Sequence, residues 1–480
     1  MARNRAMSPG GATQLAREYF PSFLEQREHV NKIQKWYRPR MGEDLEEGPF
    51  IPKDADISPE YHDLAERSTT PWMWLVVKSL AQTMYVDGVR RPSSEENMEV
   101  WRIWRRNRWN ARQIQLHRAV LAHGFAFATV LPGTEPLTGL RTSLARPVSA
   151  ARMAAFYADD TADDFPLFAI KGTPIEDGHH VAQAWNVELW DEWAVHYLRC
   201  EGEGATAQDW TYLDHLVHGS GLTPVVRHAP DVDLADGKAW GEVEPFIPMA
   251  KRIDQDVFDR LIVQRFGAWK IRWVTGMAIP SDPAAKKQLL AGGFMGSTSA
   301  ETKFGTLEET DLNGFIAAKD ADLRDLSAVS QTPPHHLLGL SSNLQAEALA
   351  AAEAGLQRKS ADYRTGMGES YEQQLQLMAM VAGLRDEAAE HDMQIRWRDT
   401  ESRSFAQAAQ ALGIVAQQLR VPVEMLWERI PGWTDGDTER AQELIRNGSL
   451  DQFIEELTRG ASSPAGIPGA QEPAGEIGRG

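Results

Sequence analysis

A double proline in the second half of the chain constrains the fold more than any other feature. Residues 331–344 read Gln-Thr-Pro-Pro-His-His-Leu-Leu-Gly-Leu-Ser-Ser-Asn-Leu, and they separate a helical pattern from a long stretch rich in alanine and glutamate. Proline lacks an amide donor and disfavours helical geometry in the residue before it, so the first helix must end near Thr332. Three side chains that can cap the second helix follow, at Ser341, Ser342 and Asn343. We therefore predict a short loop with three leucines that have no obvious core to enter: Leu337, Leu338 and Leu340. The residues alone favour equally an ordinary interhelical turn whose leucines pack on a core.

The spacing of apolar residues predicts that most of the chain is helical. From residue 345 to 384 apolar side chains recur every three or four positions, as on one face of a long helix. An Asp-Gly pair at 87–88 predicts a turn after an earlier helix that begins near Trp72. Other helices are predicted near residues 97–109, 111–123, 244–266, 312–330, 405–419, 423–430 and 439–457.

Short strands are predicted mainly between residues 125 and 240. Pro166 and Pro224 place two of them at strand starts or sheet edges, because proline cannot donate to a strand ladder. Together with the helices, these strands predict a mainly helical α+β fold. The strand candidates are residues 125–131, 165–170, 187–193, 194–198, 224–227, 270–277 and 393–398.

Composition restricts the partners of the chain. The 480 residues include 68 Asp and Glu, 50 Lys and Arg, and one cysteine, Cys200. A net charge of −18 argues against a surface that coats DNA phosphates, since nonspecific DNA affinity comes mainly from Lys and Arg. A single cysteine excludes an intrachain disulfide and fits a reducing compartment. No apolar run of about 18 residues is present, so no membrane-spanning helix is expected.

The motifs of common enzyme classes are absent from the sequence. It has no Gly-x-x-x-x-Gly-Lys-Ser/Thr phosphate loop and no Gly-x-Ser-x-Gly nucleophile elbow. The acidic residues at 159–164 lack the central glycine and closing glutamate of an EF-hand loop. His335 and His336 are adjacent and point in different directions, and no further ligand stands at a suitable spacing, so neither a metal site nor a cofactor is predicted. A metal-dependent nuclease that uses some of the many carboxylates of the chain stays open as one function.

One basic and aromatic cluster occupies residues 101–112. Such a mixture occurs on nucleic-acid surfaces. We favour another interpretation, in which the tryptophans bury one helix face and the arginines pair with acidic residues of this chain or a neighbour. The cluster consists of Trp101, Trp104 and Trp109 with Arg102, Arg105, Arg106, Arg108 and Arg112.

An apolar stripe on the helix predicted at 244–266 indicates an oligomer. This helix, the helix at 312–330 and the insert between them predict a helical stalk that has few partners in its own chain. The stripe is therefore predicted to contact neighbouring subunits. It consists of Phe246, Ala250, Ile253, Val257 and Leu261.

The order of these segments resembles the phage portal protein family, in particular the siphophage type of actinobacteriophages that is related to the portal of a Bacillus phage. The resemblance spans roughly residues 72–419 and includes the double-proline loop before the Ala/Glu helix. A departure lies at residues 237–245, where the family often has a Gly-Arg-Ser segment and only Gly241 and the acidic residue after it fit. The matching pieces are residues 74–77, 85–88, 101–104, Asn107, His117, Gly124, 223–226 and the helix ending near Phe266.

The resemblance implies a ring subunit with wing, stem, clip and crown regions. The stem helices at 244–266 and 312–330 would flank a clip at 267–311. The remaining regions would be an N-terminal wing at 1–243, a tunnel loop at 331–344, a wing helix and strand at 345–402, a crown at 403–460 and a disordered tail at 461–480.

Function and partners are implied by the same resemblance. A ring of twelve copies at one capsid vertex would carry double-stranded DNA during packaging, retention and ejection, and would attach the head–tail connector. The partners would be other copies, the DNA, the terminase large subunit, a head–tail adaptor, and the major capsid and scaffolding proteins, with no membrane. The protein would be a virion component assembled in the host cytoplasm, without enzymatic activity; a nuclease or another phage DNA-processing enzyme is the alternative. The DNA-channel loop would comprise Pro333, Pro334, His335, His336, Leu337, Leu338, Leu340, Ser341, Ser342 and Asn343.

Overall fold

The computed structural model describes the chain in several ranges that cover most of its length. The chain divides into two compact units, Met1–Arg398 and Asp399–Gly480. No described helix is long and apolar enough to cross a membrane. The described residues are 7–39, 59–90, 99–176, 182–202, 209–267, 272–275, 303–306, 311–339, 346–398, 405–430, 433 and 435–446.

Helices dominate both units. The second unit contains α11 (Phe405–Leu419), a 3-10 helix at Val423–Arg429 and α12 (Asp435–Arg446). A 3-10 turn at Glu244–Phe246 leads into α6 of the first unit. The helices of the first unit are α1 (Pro9–Tyr37), α2 (Pro59–Ser68), α3 (Trp72–Ala81), α4 (Glu99–Arg106), α5 (Trp109–His123), α6 (Ile247–Gly267), α7 (Asn313–Ser330), α8 (Pro334–Leu338), α9 (Ala346–Ala382) and α10 (Arg385–Ala388).

Within the described ranges the strands form four antiparallel sheets, which confirms the α+β fold. The sheet orders are β4-β5-β6-β7-β8, β3-β2-β9, β1-β12 and β10-β11. The strands are β1 (Val86–Arg90), β2 (Ala126–Thr134), β3 (Arg141–Ser149), β4 (Met153–Phe156), β5 (Phe168–Glu176), β6 (Ala182–Trp190), β7 (Ala194–Glu201), β8 (Asp209–Val217), β9 (Val225–His228), β10 (Arg272–Thr275), β11 (Lys303–Thr306) and β12 (Gln394–Trp397).

Helix α9 is the centre of the main core and has the predicted length. It packs against β2, β3, β9, β12 and α4. The hydroxyl of Tyr371 lies 2.9 Å from Nε2 of His117 on α5. The ring of Tyr371 also meets Trp104 and Trp109 from α4 and α5. The predicted stripe of α9 is buried at Leu356, Tyr363, Met367, Tyr371, Leu375 and Met378.

Helix α1 covers the five-stranded sheet and forms a second core that the sequence analysis did not assign. Ser8 caps the helix, because its hydroxyl accepts a hydrogen bond from the amide of Gly11 at 3.2 Å. Phe20 and Phe23 then pack edge-on against Trp185 of β6. A side chain at Gly172 of β5 would come within 2.5 Å of the Phe23 ring, so the close approach of helix and sheet requires glycine there.

The predicted turn at the Asp-Gly pair is wrong. Residues 86–90 form strand β1, which pairs with β12 and carries an irregularity between Val86 and Gly88. A side chain at Gly88 would lie 2.9 Å from the guanidinium of Arg396. Here glycine makes room for a cross-strand arginine, and it does not end the strand.

The apolar stripe of α6 is covered by the chain itself. Ala250, Ile253 and Val257 are buried within the subunit, and Phe246 is partly buried against the main core. Leu261 packs into a small cluster with α2 residues. The premise that this stripe lacks a partner is therefore wrong, because α2, from a distant part of the sequence, and α7 both pack on α6. The assignment of α6 and α7 to a stem stays a prediction.

The basic and aromatic cluster at residues 101–112 has a structural role, which is the interpretation that the sequence favoured. Trp104 and Trp109 are fully buried, and Trp101 is nearly so. Arg102 pairs with Glu99 at 2.7 Å, and Arg112 donates to the carbonyl of Ala145 at 2.7 Å. The interpretation in which tryptophans fill the core is confirmed.

Asp254 on α6 is a buried acid with one backbone hydrogen bond. Its Oδ1 accepts from the amide of Thr70 at 3.2 Å. Burial raises the pKa of Asp254 to about 7, against the smaller lowering by that bond. Between about pH 4 and pH 7 the folded protein therefore keeps a proton on Asp254 that the unfolded chain has already released. Stability from this group is present at low pH and is lost as the pH rises through 7.

We expect Asp254→Asn to raise the free energy of unfolding at pH 8 by about 1–3 kcal/mol and to change it little near pH 4, since asparagine keeps an acceptor without the charge. Denaturant unfolding of both proteins across this pH range measures the difference. Asp362→Asn, at an exposed acid of α9, is the matched control and should leave the pH dependence unchanged. A parallel pH profile for Asp254→Asn and wild type contradicts the prediction.

Candidate functional site: the double-proline segment

Helix α7 ends in a set of buried hydroxyl hydrogen bonds. Gln331 takes a left-handed conformation with φ 54° at the end of the helix. The hydroxyl of Ser327 donates to the carbonyl of Thr332 at 2.7 Å, and the hydroxyl of Ser330 donates to Thr332 Oγ1 at 2.9 Å. Pro333 and Pro334 have no amide to donate, so α7 cannot continue through them. The change of direction after α7 is thus fixed.

A buried ion pair ties this point to two other parts of the fold. Lys359 of α9 donates to the carbonyl of Ser330 at 2.9 Å, where a cation suits the carboxyl end of α7. Its ammonium also pairs with Glu242, whose Oε1 accepts from the Tyr363 hydroxyl at 2.7 Å. Burial and the adjacent Glu242 carboxylate raise the pKa of Tyr363 far above its ordinary value. A cavity of about 330 Å³ lies beside this group and is lined in part by Asp231 and Asp362.

The residues after the prolines form a short helix, where a loop was predicted. Pro333 precedes the first turn of α8, Pro334 occupies its first position, and the amide of His336 donates to the Pro333 carbonyl at 2.9 Å. The helix ends at Gly339, whose φ of 66° is the left-handed conformation that glycine adopts without strain.

Leu337 and Leu338 have a core to enter, which agrees with the alternative of an interhelical turn packed on a core and not with the expectation of unburied leucines. Leu337 is 6% exposed and belongs to the main core, while Leu338 is partly buried against it. The short helix brings both side chains toward the first unit's interior, where α8 packs against α3. The expectation fails because α3 lies far away in the sequence.

Four residues of the predicted channel loop, Leu340, Ser341, Ser342 and Asn343, lie outside the described residues. The described part, residues 331–339, contains no Lys or Arg. Its role in lining a DNA channel stays a prediction.

The two histidines of α8 have a neighbour that the sequence analysis missed. Their ring centroids are 4.4 Å apart, and His335 Nε2 lies 3.6 Å from Oε1 of Glu353 on α9. Burial lowers the pKa of His336. Spacing along the chain gives no sign of Glu353, because only the tertiary fold places it beside α8. Within the described ranges, these three residues are the only group of His, Cys, Asp or Glu side chains close enough to share a metal ion.

The nuclease alternative finds no support here. A metal-dependent nuclease needs several convergent carboxylates around its ions. The three-residue group just described, in the part of the chain that the structure covers, has one carboxylate.

We expect Leu337→Ala to lower the free energy of unfolding by about 2–4 kcal/mol, because it leaves a cavity in the main core. Leu234→Ala is the matched control, since Leu234 is 86% exposed, and it should change the free energy by less than about 0.5 kcal/mol. Urea titration of the purified variants measures both values. Equal effects of the two substitutions would mean that α8 is not docked in this way.

Comparisons with known proteins agree with the resemblance noted in the sequence. The chain is similar to one in a solved structure titled "Virion of native gene transfer agent (GTA) particle", at 13% identity and a TM-score of 0.44, over 82% of this chain and 94% of that one. No curated protein matches the sequence. The family described as "Phage portal protein, SPP1 Gp6-like" matches residues 17–449. Because that match spans nearly the whole chain, this protein belongs to the SPP1 Gp6-like family of phage portal proteins.

Proposed function

We propose that the protein forms the portal ring at one vertex of a tailed-phage capsid. Double-stranded DNA passes through the ring during packaging and ejection and is retained there between the two events. The ring is also the attachment point for the head–tail connector. The single observation that carries this proposal is the family match over residues 17–449.

The proposed assembly is a closed ring of twelve copies. The terminase large subunit docks on it during packaging, and a head–tail adaptor replaces terminase afterwards. The major capsid and scaffolding proteins surround it at the vertex, and no membrane takes part. Assembly takes place in the host cytoplasm, and the finished ring is part of the virion. Membership of the portal family supports this set of partners.

We propose that the stem consists of α6 and α7 with the clip between them. Arg252 of α6 donates from Nε to Oδ2 of Asp322 on α7 at 2.9 Å, and its Nη2 forms an ion pair with Oδ1 at 2.8 Å. The α6 stripe faces the subunit interior, so the contacts between subunits would use other faces. Ile316 and Val329 on α7 are exposed apolar side chains, 46% and 55% exposed, that suit such contacts.

We keep the proposal that this segment contacts DNA, but we assign anchoring and DNA contact to different residues within it. Leu337 and Leu338 anchor the segment to the subunit core, and the hydroxyl bonds of Ser327 and Ser330 fix its root. The tip, residues 340–343, is then the part that touches DNA. It contains no Lys or Arg, so it cannot make strong phosphate pairs, and DNA can move past it.

Replacement of residues 340–343 by Gly-Ser-Gly-Ser is expected to leave ring assembly intact and to impair DNA packaging or retention in heads. The reason is that the root of the segment is held by side chains outside the replaced residues. Electron microscopy of the purified protein measures ring formation, and the DNA content of assembled heads measures packaging.

The matched control replaces the four turn residues 136–139, between β2 and β3, by the same sequence. This variant should both form rings and package DNA. If the 340–343 variant fills heads like the control, the loop is only a connector. If the wild-type chain forms no ring at all, the portal proposal itself is contradicted.

We also propose that the protein catalyses no reaction. The phosphate-loop and nucleophile-elbow motifs are missing from the sequence. Purified protein is therefore expected to show no ATP hydrolysis and no DNA cleavage with magnesium or manganese present. Turnover that survives further purification and disappears when a carboxylate of this chain is replaced would overturn this part of the proposal.

A further inference from the structure

Three side chains from two helices meet beside the double proline. His335 and His336 lie on α8, and Glu353 lies on α9. One ligating atom from each side chain lies within 4.8 Å of the others. The His335 side chain is 12% exposed and that of Glu353 is 24% exposed, so the group is shielded while still open to small solutes.

The two histidines lack the hydrogen bonds that buried imidazoles normally make. The Nδ1 atoms of His335 and His336 are both buried and have no hydrogen-bond partner. The approach of His335 Nε2 to Glu353 at 3.6 Å is longer than a hydrogen bond. Buried polar atoms without partners are costly, and neither the two Nδ1 atoms nor His335 Nε2 is held by a hydrogen bond, so these nitrogens are available to coordinate an ion.

The donor set specifies the class of ligand. Two imidazoles and one carboxylate bind late first-row divalent cations well, whereas Mg²⁺ and Ca²⁺ prefer sites made of oxygen atoms. Zinc takes His nitrogen at about 2.0–2.1 Å and carboxylate oxygen at about 2.0–2.2 Å. Donor atoms on one tetrahedral ion therefore lie roughly 3.4 Å apart. The three donors lie within 4.8 Å of one another, so they must approach by up to about 1.4 Å through side-chain rotation to reach that distance.

We propose that His335, His336 and Glu353 form a binding site for Zn²⁺ or a similar late first-row divalent cation. Water completes the coordination at the exposed side. The ion joins α8 to α9 directly and so bridges the start and the end of the segment at residues 339–346. This inference is independent of the portal function, because it depends only on residues within one subunit.

The test is zinc binding by the tag-free, full-length protein after removal of metal with EDTA. Isothermal titration calorimetry or competition with a zinc-binding dye gives the affinity and the number of ions per subunit. One ion per subunit is expected at the strongest site. The double variant His335→Gln with His336→Gln and the single variant Glu353→Gln should each bind zinc about tenfold more weakly or worse.

Control variants separate this site from other histidines. His215 and His391 are exposed, and His215→Gln or His391→Gln should leave the strongest affinity unchanged. Circular dichroism and urea unfolding without metal show whether each variant is folded. Zinc should also raise the melting temperature of the wild type and of both controls, but not that of the site variants.

Two results overturn the proposal. One is wild-type zinc affinity no stronger than that of the folded double variant. The other is an equal loss of affinity in the site and control variants, which would indicate scattered surface binding. Visible absorption after cobalt substitution gives a readout of geometry, and an intense tetrahedral spectrum that the site variants lose supports the assignment.

Discussion

The rest of the first unit depends on the burial of Tyr371 in the middle of α9. Its hydroxyl needs a partner once it leaves water, and His117 of α5 supplies one at 2.9 Å. Burial lowers the pKa of His117 to about 3, so the hydrogen bond joins two neutral groups and the fold avoids the free-energy cost of a buried charge. The tyrosine ring meets Trp104 and Trp109 on one side and His228 and Trp397 on others. One side chain thus sets the positions of two helices and the strands β9 and β12.

Local patterns in the sequence were enough to predict elements whose position shows in their own residues, such as a helix with one continuous apolar face or an edge strand with a proline. Helix α9 shows a regular apolar stripe because one continuous face enters the core, and its ends were predicted to within a few residues. The edge position of β9 followed from Pro224, which cannot donate inside a sheet. Membership of the portal family followed from the order of such elements, and the family match confirms it.

The errors share a cause, which is contact between distant parts of the chain. Gly88 suggested a turn, but Arg396 crosses it from β12. The α6 stripe and Leu337 seemed to lack a core, but α2 covers the first and α3 packs against the helix that carries the second. Glu353 joins two histidines that looked isolated. None of these partners can be inferred from spacing, because each is placed by the tertiary fold.

The pairing of β1 with β12 has a consequence for how the protein is made. β1 and the helices α3 to α5 emerge early from the ribosome, whereas α9 and β12 come from the last third of the chain. At about 5–20 residues added per second, the apolar faces of these helices wait on the order of ten seconds or more for the partners that cover them. During that time the nascent chain lacks Tyr371 of α9, on which Trp104 and Trp109 pack in the folded protein. The main core of the first unit can therefore form only after α9 and β12 have left the ribosome.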